Sequence, residues 1–190
     1  YVAQQDSTTR ELYVASLSPP GSPTKLNATV VDGGGVARLE WSPDSQAIVY
    51  LGDLETEYLR ELFWVAADGQ SAPVKLNAPL DSNVDQFGFS PSGRHFFYLA
   101  QHADADVEHV YLLDMVGAQT PVRASGIVQP SGEVRSAEFF EHGQKIMYYA
   151  DVNGDDQLQY YVVDVTLPTI APRANGALPE GSRIAGATIF

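Results

Sequence analysis

WSPDSQAIVY, residues 41–50, sets two apolar runs on either side of a Ser-Pro-Asp-Ser turn signal. Pro presets φ for a tight turn, and Asp bonds its own following backbone. With aromatic and β-branched residues flanking that turn, the stretch reads as a β-hairpin. The hairpin recurs. WSPDSQAIVYLGD at 41–53 aligns with FSPSGRHFFYLAQ at 89–101 and with FFEHGQKIMYYAD at 139–151. Trp41, Phe89 and Phe139 are 48 and then 50 residues apart. Ser45, Gly93 and Gly143 follow in step, and so do Tyr50, Tyr98 and Tyr148.

Two further elements keep the same beat. ELYVASL at 11–17 returns as ELFWVAA at 61–67, HVYLLDM at 109–115 and QYYVVDV at 159–165. PTKLNATV at 23–30 returns as PVKLNAPL at 73–80 and, more weakly, as TPVRASGI at 120–127. Each unit thus holds four short runs rich in Val, Ile, Tyr, Phe or Trp, separated by Gly, Pro, Asp and Ser. No run shows a sustained helical period. Four antiparallel strands repeated at this spacing predict an all-β chain of β-propeller blades.

The repeat also sets boundaries within one propeller domain over 1–190. Residues 36–80, 84–127 and 133–173 make three blades. Residues 1–30 supply a second, third and fourth strand, and 183–190 resemble a first strand, so the termini would share a split blade. The turn between those two pieces is missing. About four blades closed by the termini is one reading; a fragment of a larger propeller, of four to eight blades, is preferred. A homodimer completing a larger ring is a third.

Composition narrows the partners. Against 24 Asp and Glu stand 11 Lys and Arg, for a net charge of −13, and the cations are scattered. Nucleic acid and anionic membrane surfaces, which need clustered cations, are poor partners. There are no cysteines, which removes thiolate chemistry and disulfides. No apolar run is long enough for a membrane span, so no membrane insertion is expected. Tyr1 reads as strand with neither an initiator Met nor a signal-peptide pattern, which implies a trimmed N-terminus.

The [WF]-S-P-[DS]-[GS] turn with its following apolar strand resembles the TolB-type, WD-like propeller repeat. YVAQQD at 1–6, ELYV at 11–14 and TKLN at 24–27 look like long secreted proteins of that group. The resemblance covers essentially the whole chain, although Phe140-Glu141-His142-Gly143 departs from the turn motif. It implies a periplasmic or secreted propeller that binds other proteins. Similar repeats also form the propeller in front of prolyl-oligopeptidase-type peptidases. The matched motif is structural, so no catalytic residue carries over.

Alternating strand direction places all second-to-third-strand loops on one face of a blade. Those loops hold Asp53, Glu55, Glu57, Asp104, Asp106, Glu108 and Asp156, a candidate acidic surface for a basic protein or peptide. A solvated rim explains the same residues, since Asp suits hairpin loops and charge resists edge association. DVNGDD at 151–156 offers Asp151, Asn153 and Asp155 at calcium-loop spacing. Asp156 and Val162 stand where such a loop needs Gly and an acid, so a hairpin turn is the preferred reading and Ca²⁺ the secondary one; no other cofactor is expected. His102 and His109 flank one hairpin and would form a metal pair with Asp104 or Asp106; exposed loop histidines are the simpler expectation. No G-x-S-x-G elbow and no P-loop occurs, and GGG at 33–35 reads as a blade-to-blade turn. Trp41, Trp64 and the Tyr and Phe residues read as core.

The function expected is a non-catalytic exported binding or scaffold module presenting the acidic loops. The alternatives are the propeller part of a hydrolase or lyase, or of a gated prolyl-oligopeptidase-type peptidase, and a purely structural repeat of a larger surface protein.

Overall fold

Short apolar runs bounded by turn residues fold here as fourteen strands and one 3-10 turn among the described residues. The computed structural model describes residues 1–4, 9–117 and 119–168. The strands are β1 (Val2–Ala3), β2 (Glu11–Val14), β3 (Thr24–Lys25), β4 (Val36–Trp41), β5 (Ala47–Gly52), β6 (Glu61–Ala66) and β7 (Val74–Lys75). They continue as β8 (Gln86–Phe89), β9 (His95–Ala100), β10 (His109–Asp114), β11 (Val122–Arg123), β12 (Glu133–Phe140), β13 (Lys145–Asp151) and β14 (Gln159–Asp164). They pair as four antiparallel meanders in the orders β1-β2-β3, β4-β5-β6-β7, β8-β9-β10-β11 and β12-β13-β14. This all-β arrangement of blade-like sheets is the propeller fold class read from the repeat.

The chain divides into two compact units. The first is Tyr1–Asn77 with Ser82–Val84, and holds the first two sheets. Its core joins Leu12, Leu26, Val36, Ile48, Tyr50, Leu54, Phe63 and Val65. The second is Ala78–Asp81 with Asp85–Phe190, and holds the other two sheets. Its core runs from Phe97 and Leu99 through Val110 and Val134 to Tyr148 and Val163. Segments 169–173 and 183–190, expected to supply a fourth strand and part of the split blade, lie outside the described residues.

Second strands carry unbroken apolar runs because both their faces are covered. All six residues of β5 are buried, as are five of the six in β9. The tyrosines that keep the repeat's beat, Tyr50, Tyr98 and Tyr148, are all at most 2% exposed. Trp41, Tyr58 and Tyr1 break the expectation of core residues at 42%, 76% and 47% exposed; Trp41 ends β4, an outer strand of its sheet.

The turn in WSPDSQAIVY shows why Ser opens it. Ser42 Oγ accepts the Ala47 N–H at 2.9 Å and donates to Asp44 Oδ1, while the backbones of Ser42 and Ala47 pair at 2.9 Å. Ser90 repeats this with His95, its Oγ accepting the His95 N–H at 3.0 Å. The third copy lacks that serine and closes instead as a 3-10 turn over Glu141–Gly143. Gly143 has φ +83°, and a Cβ there would press on Ser90 and Pro91 at 2.8 Å, so only glycine fits.

The fourth strands are only two residues long, shorter than the KLN runs suggest. After Leu26 N–H bonds the Leu12 carbonyl, the Asn27 side chain takes over: its Oδ1 accepts the Leu12 N–H at 2.7 Å. Asn77 does the same for Leu62 at 2.7 Å. A side chain replaces the next rung of the ladder, and the strand ends there.

Candidate functional site

In the first three repeats, buried or half-buried polar groups gather where the third strand meets the fourth. In the first unit that place holds a charged network. Glu61, 3% exposed, accepts from Lys75 Nζ at 2.8 Å and from Asn77 Nδ2 at 3.2 Å. Lys75 also binds Glu55 at 2.8 Å. Burial alone would lower the Lys75 pKa, but the hydrogen bonds it donates to Glu55 and Glu61, with their charges, outweigh it and hold the ammonium above its ordinary range. Glu11 repeats the design fifty positions earlier, bonded to Lys25 at 2.7 Å and Tyr13 at 2.8 Å. Those two bonds lower its carboxyl pKa.

In the second unit a histidine stands at the same place. His109, 3% exposed, shares a 2.9 Å hydrogen bond between Nδ1 and Ser125 Oγ, and Ser125 also accepts the Val110 N–H at 3.2 Å. Burial pushes His109 down to about 4, with Arg123 and His102 adding to the shift. His102 is buried too, bonded through Nε2 to the Tyr98 hydroxyl at 2.7 Å and stacked on Tyr111 with ring centroids 3.5 Å apart. Its pKa is lowered, chiefly by burial. The expectation of exposed loop histidines is therefore corrected. Both rings pack against Tyr111, His102 stacked on it and His109 edge-on with ring centroids 6.2 Å apart.

The acidic loop residues divide by what they touch. Asp53 Oδ1 accepts the Gly35 N–H at 2.8 Å. Glu55 pairs with Lys75, and Glu57 accepts from the Tyr58 hydroxyl. Glu108 is half-buried, its Oε1 enclosed without a partner. Burial, the nearby charge of Asp85 and a hydrogen bond to it push Glu108 up to about 7. Asp104, Asp106 and Asp156 are exposed.

Asp151 is 3% exposed and holds its own loop. Its Oδ1 accepts the N–H groups of Asn153 at 3.1 Å, Gly154 at 2.8 Å and Asp155 at 3.3 Å, and its Oδ2 accepts that of Asp156 at 2.8 Å. Asn153 and Asp155 are exposed, and Asp155 Oδ1 accepts the Gln157 N–H. Among the described residues no group of three or more His, Asp or Glu side chains is placed to share one ion. No helix among them is long and apolar enough to cross a membrane.

Sequence reading passed over Asn27, Asn77 and Ser125. Their signal was present, because two of them recur fifty residues apart inside the KLN element. Their role depends on strand pairing that the spacing alone does not reveal.

No protein-family model and no curated protein matches the sequence. Solved structures do match in fold. Puromycin hydrolase is 18% identical with a TM-score of 0.60, covering 86% of this chain and 27% of its own. A puromycin-hydrolyzing peptidase of Mycobacterium tuberculosis is 13% identical with a TM-score of 0.59, covering 93% of this chain and 30% of its own. TolB from Acinetobacter baumannii is 12% identical with a TM-score of 0.51, covering 87% and 37%. The chain thus spans well under half the length of each. At these identities the likeness shows the fold alone, a β-propeller shared by hydrolases and TolB alike, and it does not single out the TolB repeat.

Proposed function

We propose that this chain is the accessory, non-catalytic propeller part of a larger hydrolytic enzyme, with the reacting groups supplied from outside these 190 residues. One observation carries the reading. Among the described residues, the four fully buried His, Asp and Glu side chains are engaged in holding strands and loops: Glu61 by Lys75 and Asn77, His109 by Ser125, His102 by Tyr98, and Asp151 by four backbone N–H groups. A general base or nucleophile needs a free lone pair facing substrate. The fold likeness to proteins named as a puromycin hydrolase and a puromycin-hydrolyzing peptidase supports the same reading by analogy.

The test compares the 190-residue chain with the product of the complete reading frame. Both are assayed on aminoacyl and peptidyl chromogenic amides and labelled with a fluorophosphonate. Hydrolysis and labelling confined to the longer product, at a residue outside this chain, are expected. Hydrolysis by the 190-residue chain alone, or an inert longer product, rejects the reading.

A second reading is an exported scaffold that presents acidic loops to a basic partner. Asp104 and Asp106 in one loop, and Asp155 and Asp156 in another, favour it, all being exposed in the second unit. Salt-sensitive binding of an oligolysine peptide, weakened by D104N/D106N, is its expected result. Equal binding by wild type and variant counts against it.

A further inference from the structure

Position by position, the repeat places Arg10 before ELYV and Arg60 before ELFW, while Glu108 and Leu158 fill the corresponding places before HVYL and QYYV. The strand pairing at this position runs through the backbone. Arg10 carbonyl accepts the Val36 N–H at 2.8 Å, and Arg60 carbonyl accepts the Val84 N–H at 3.1 Å. The Arg60 N–H is held by Asn83 Oδ1 at 2.7 Å. Since Glu and Leu serve the same position elsewhere, the two guanidinium groups are not a requirement of the blade.

Both arginines line one open cleft of about 220 Å³ in the first unit, together with Gly33, Gly34, Gly35 and Asp53. Both are exposed, and among the described residues neither has a carboxylate partner. The Arg10 guanidinium reaches only the Ala37 carbonyl, at 3.5 Å. In a chain of net charge −13, two arginines lining one cleft without a carboxylate partner among the described residues are a local concentration of positive charge.

The walls decide which anion fits. The Gly34 N–H is spent on the Val31 carbonyl at 3.0 Å and the Gly35 N–H on Asp53 Oδ1 at 2.8 Å. The glycine turn therefore does not offer those two N–H groups as a phosphate cradle. Its glycines are there for close approach: a Cβ on Gly34 would run into the Asp53 carbonyl. Two guanidinium groups stand with the Asp53 carboxylate in the lining, and the Glu57 carboxylate lies against Gly33 at its edge, so the cleft carries too little positive charge for a dianion and suits a monoanion. Guanidinium forks match carboxylates in shape, and Asp53 stands beside them as an acceptor for a neighbouring amide N–H.

We propose that Arg10 and Arg60 form a binding site for a peptide carboxylate, with Asp53 receiving the adjoining amide. The site stands on the cleft alone and holds whether or not the chain accompanies a catalytic domain. The test titrates the 190-residue chain calorimetrically with four probes: N-acetyl-tetraalanine, its C-terminal amide, N-acetyl-Ala-Glu-Ala amide, and inorganic phosphate. Saturable binding of the free acid and none of its amide is expected, weakening with salt and falling about tenfold in each of R10Q and R60Q, as loss of a charge-assisted bond implies. Arginine-dependent binding of the glutamate peptide also supports carboxylate recognition and assigns the source to a side chain. Equal binding of acid and amide, no response to either substitution, or phosphate binding tighter than both carboxylates overturns the proposal. Unchanged thermal melts of R10Q and R60Q separate lost binding from lost fold.

Discussion

Glu61 in the first unit and His109 in the second occupy the same place in the repeat, and each is 3% exposed. Both meet the same demand, a buried polar group beside the third-strand N–H that the shortened fourth strand leaves over. The first unit answers with charge: Glu61, Lys75 and Asn77. The second answers with the neutral pair His109 and Ser125. The repeat thus conserves a geometric task and leaves its chemistry free. A lysine-bound carboxylate is stable while its partner stays charged, whereas a buried neutral imidazole is vulnerable to acid.

The comparison breaks first at the capping side chains. Asn77→Ala leaves the Leu62 N–H and one Glu61 oxygen buried with one partner fewer, and should lower stability by about 2–3 kcal/mol. Ser125→Ala removes the partner of both His109 Nδ1 and the Val110 N–H, all of them neutral groups, and should cost about 1–2 kcal/mol. Urea midpoints of the two variants test the ranking; an equal or reversed order would mean that charge adds nothing at this position.

Acid sharpens the contrast. His109 has its folded pKa depressed to about 4 from an ordinary 6.5, so between those values the unfolded chain binds more protons. Stability from this group is full above pH 6.5 and is lost as pH falls through about 4. His109→Gln should remove roughly 2 kcal/mol of that acid-induced loss, read as a flatter melting temperature between pH 7 and 4. A slope unchanged by the substitution would place the acid sensitivity elsewhere.

Glu108 has the opposite sign. Its folded pKa is raised from 4.5 to about 7, so the folded chain holds the extra proton across that interval. Its contribution favours folding at low pH and turns unfavourable as pH rises through about 7. Glu108→Gln should raise stability by about 1 kcal/mol at pH 8 and leave it unchanged at pH 4. A gain that is equal at both pH values would dissociate it from the carboxyl proton.

The smallest effect belongs to the rim of the first unit's network. Glu55 is exposed and shares Lys75 with the buried Glu61, so Glu55→Gln should shift stability by less than about 0.5 kcal/mol. A larger loss in a thermal melt would show that the two carboxylates act as one unit.

Much of the fold was legible because its causes are local. Alternating and continuous apolar runs, with Ser, Pro, Asp and Gly between them, specify strands and turns within ten residues of one another. The WSPDSQAIVY turn closes through Ser42 and Ala47, five positions apart, which is why it could be read directly. The third turn lacks that serine yet keeps the left-handed backbone that Ser45, Gly93 and Gly143 share at the same position. The candidate site was far less legible. Asp151 stood at calcium-loop spacing in a stretch read first as a hairpin turn, but nothing in the sequence showed that its oxygens bind four N–H groups of its own loop. His102 and His109 looked exposed because polarity and loop position were the only guides; inward packing on Tyr111 depends on register.

By itself the sequence determined the repeat, the strand order within each blade and the absence of thiol chemistry, since composition, periodicity and turn chemistry act over short stretches. Only the tertiary structure decided which polar side chains are buried, which close a neighbouring strand, and that Arg10 and Arg60 share one cleft. The strand-closing contacts and the shared cleft join residues fifteen to fifty positions apart. Strand pairing and sheet packing bring them together, and no local preference encodes that distance.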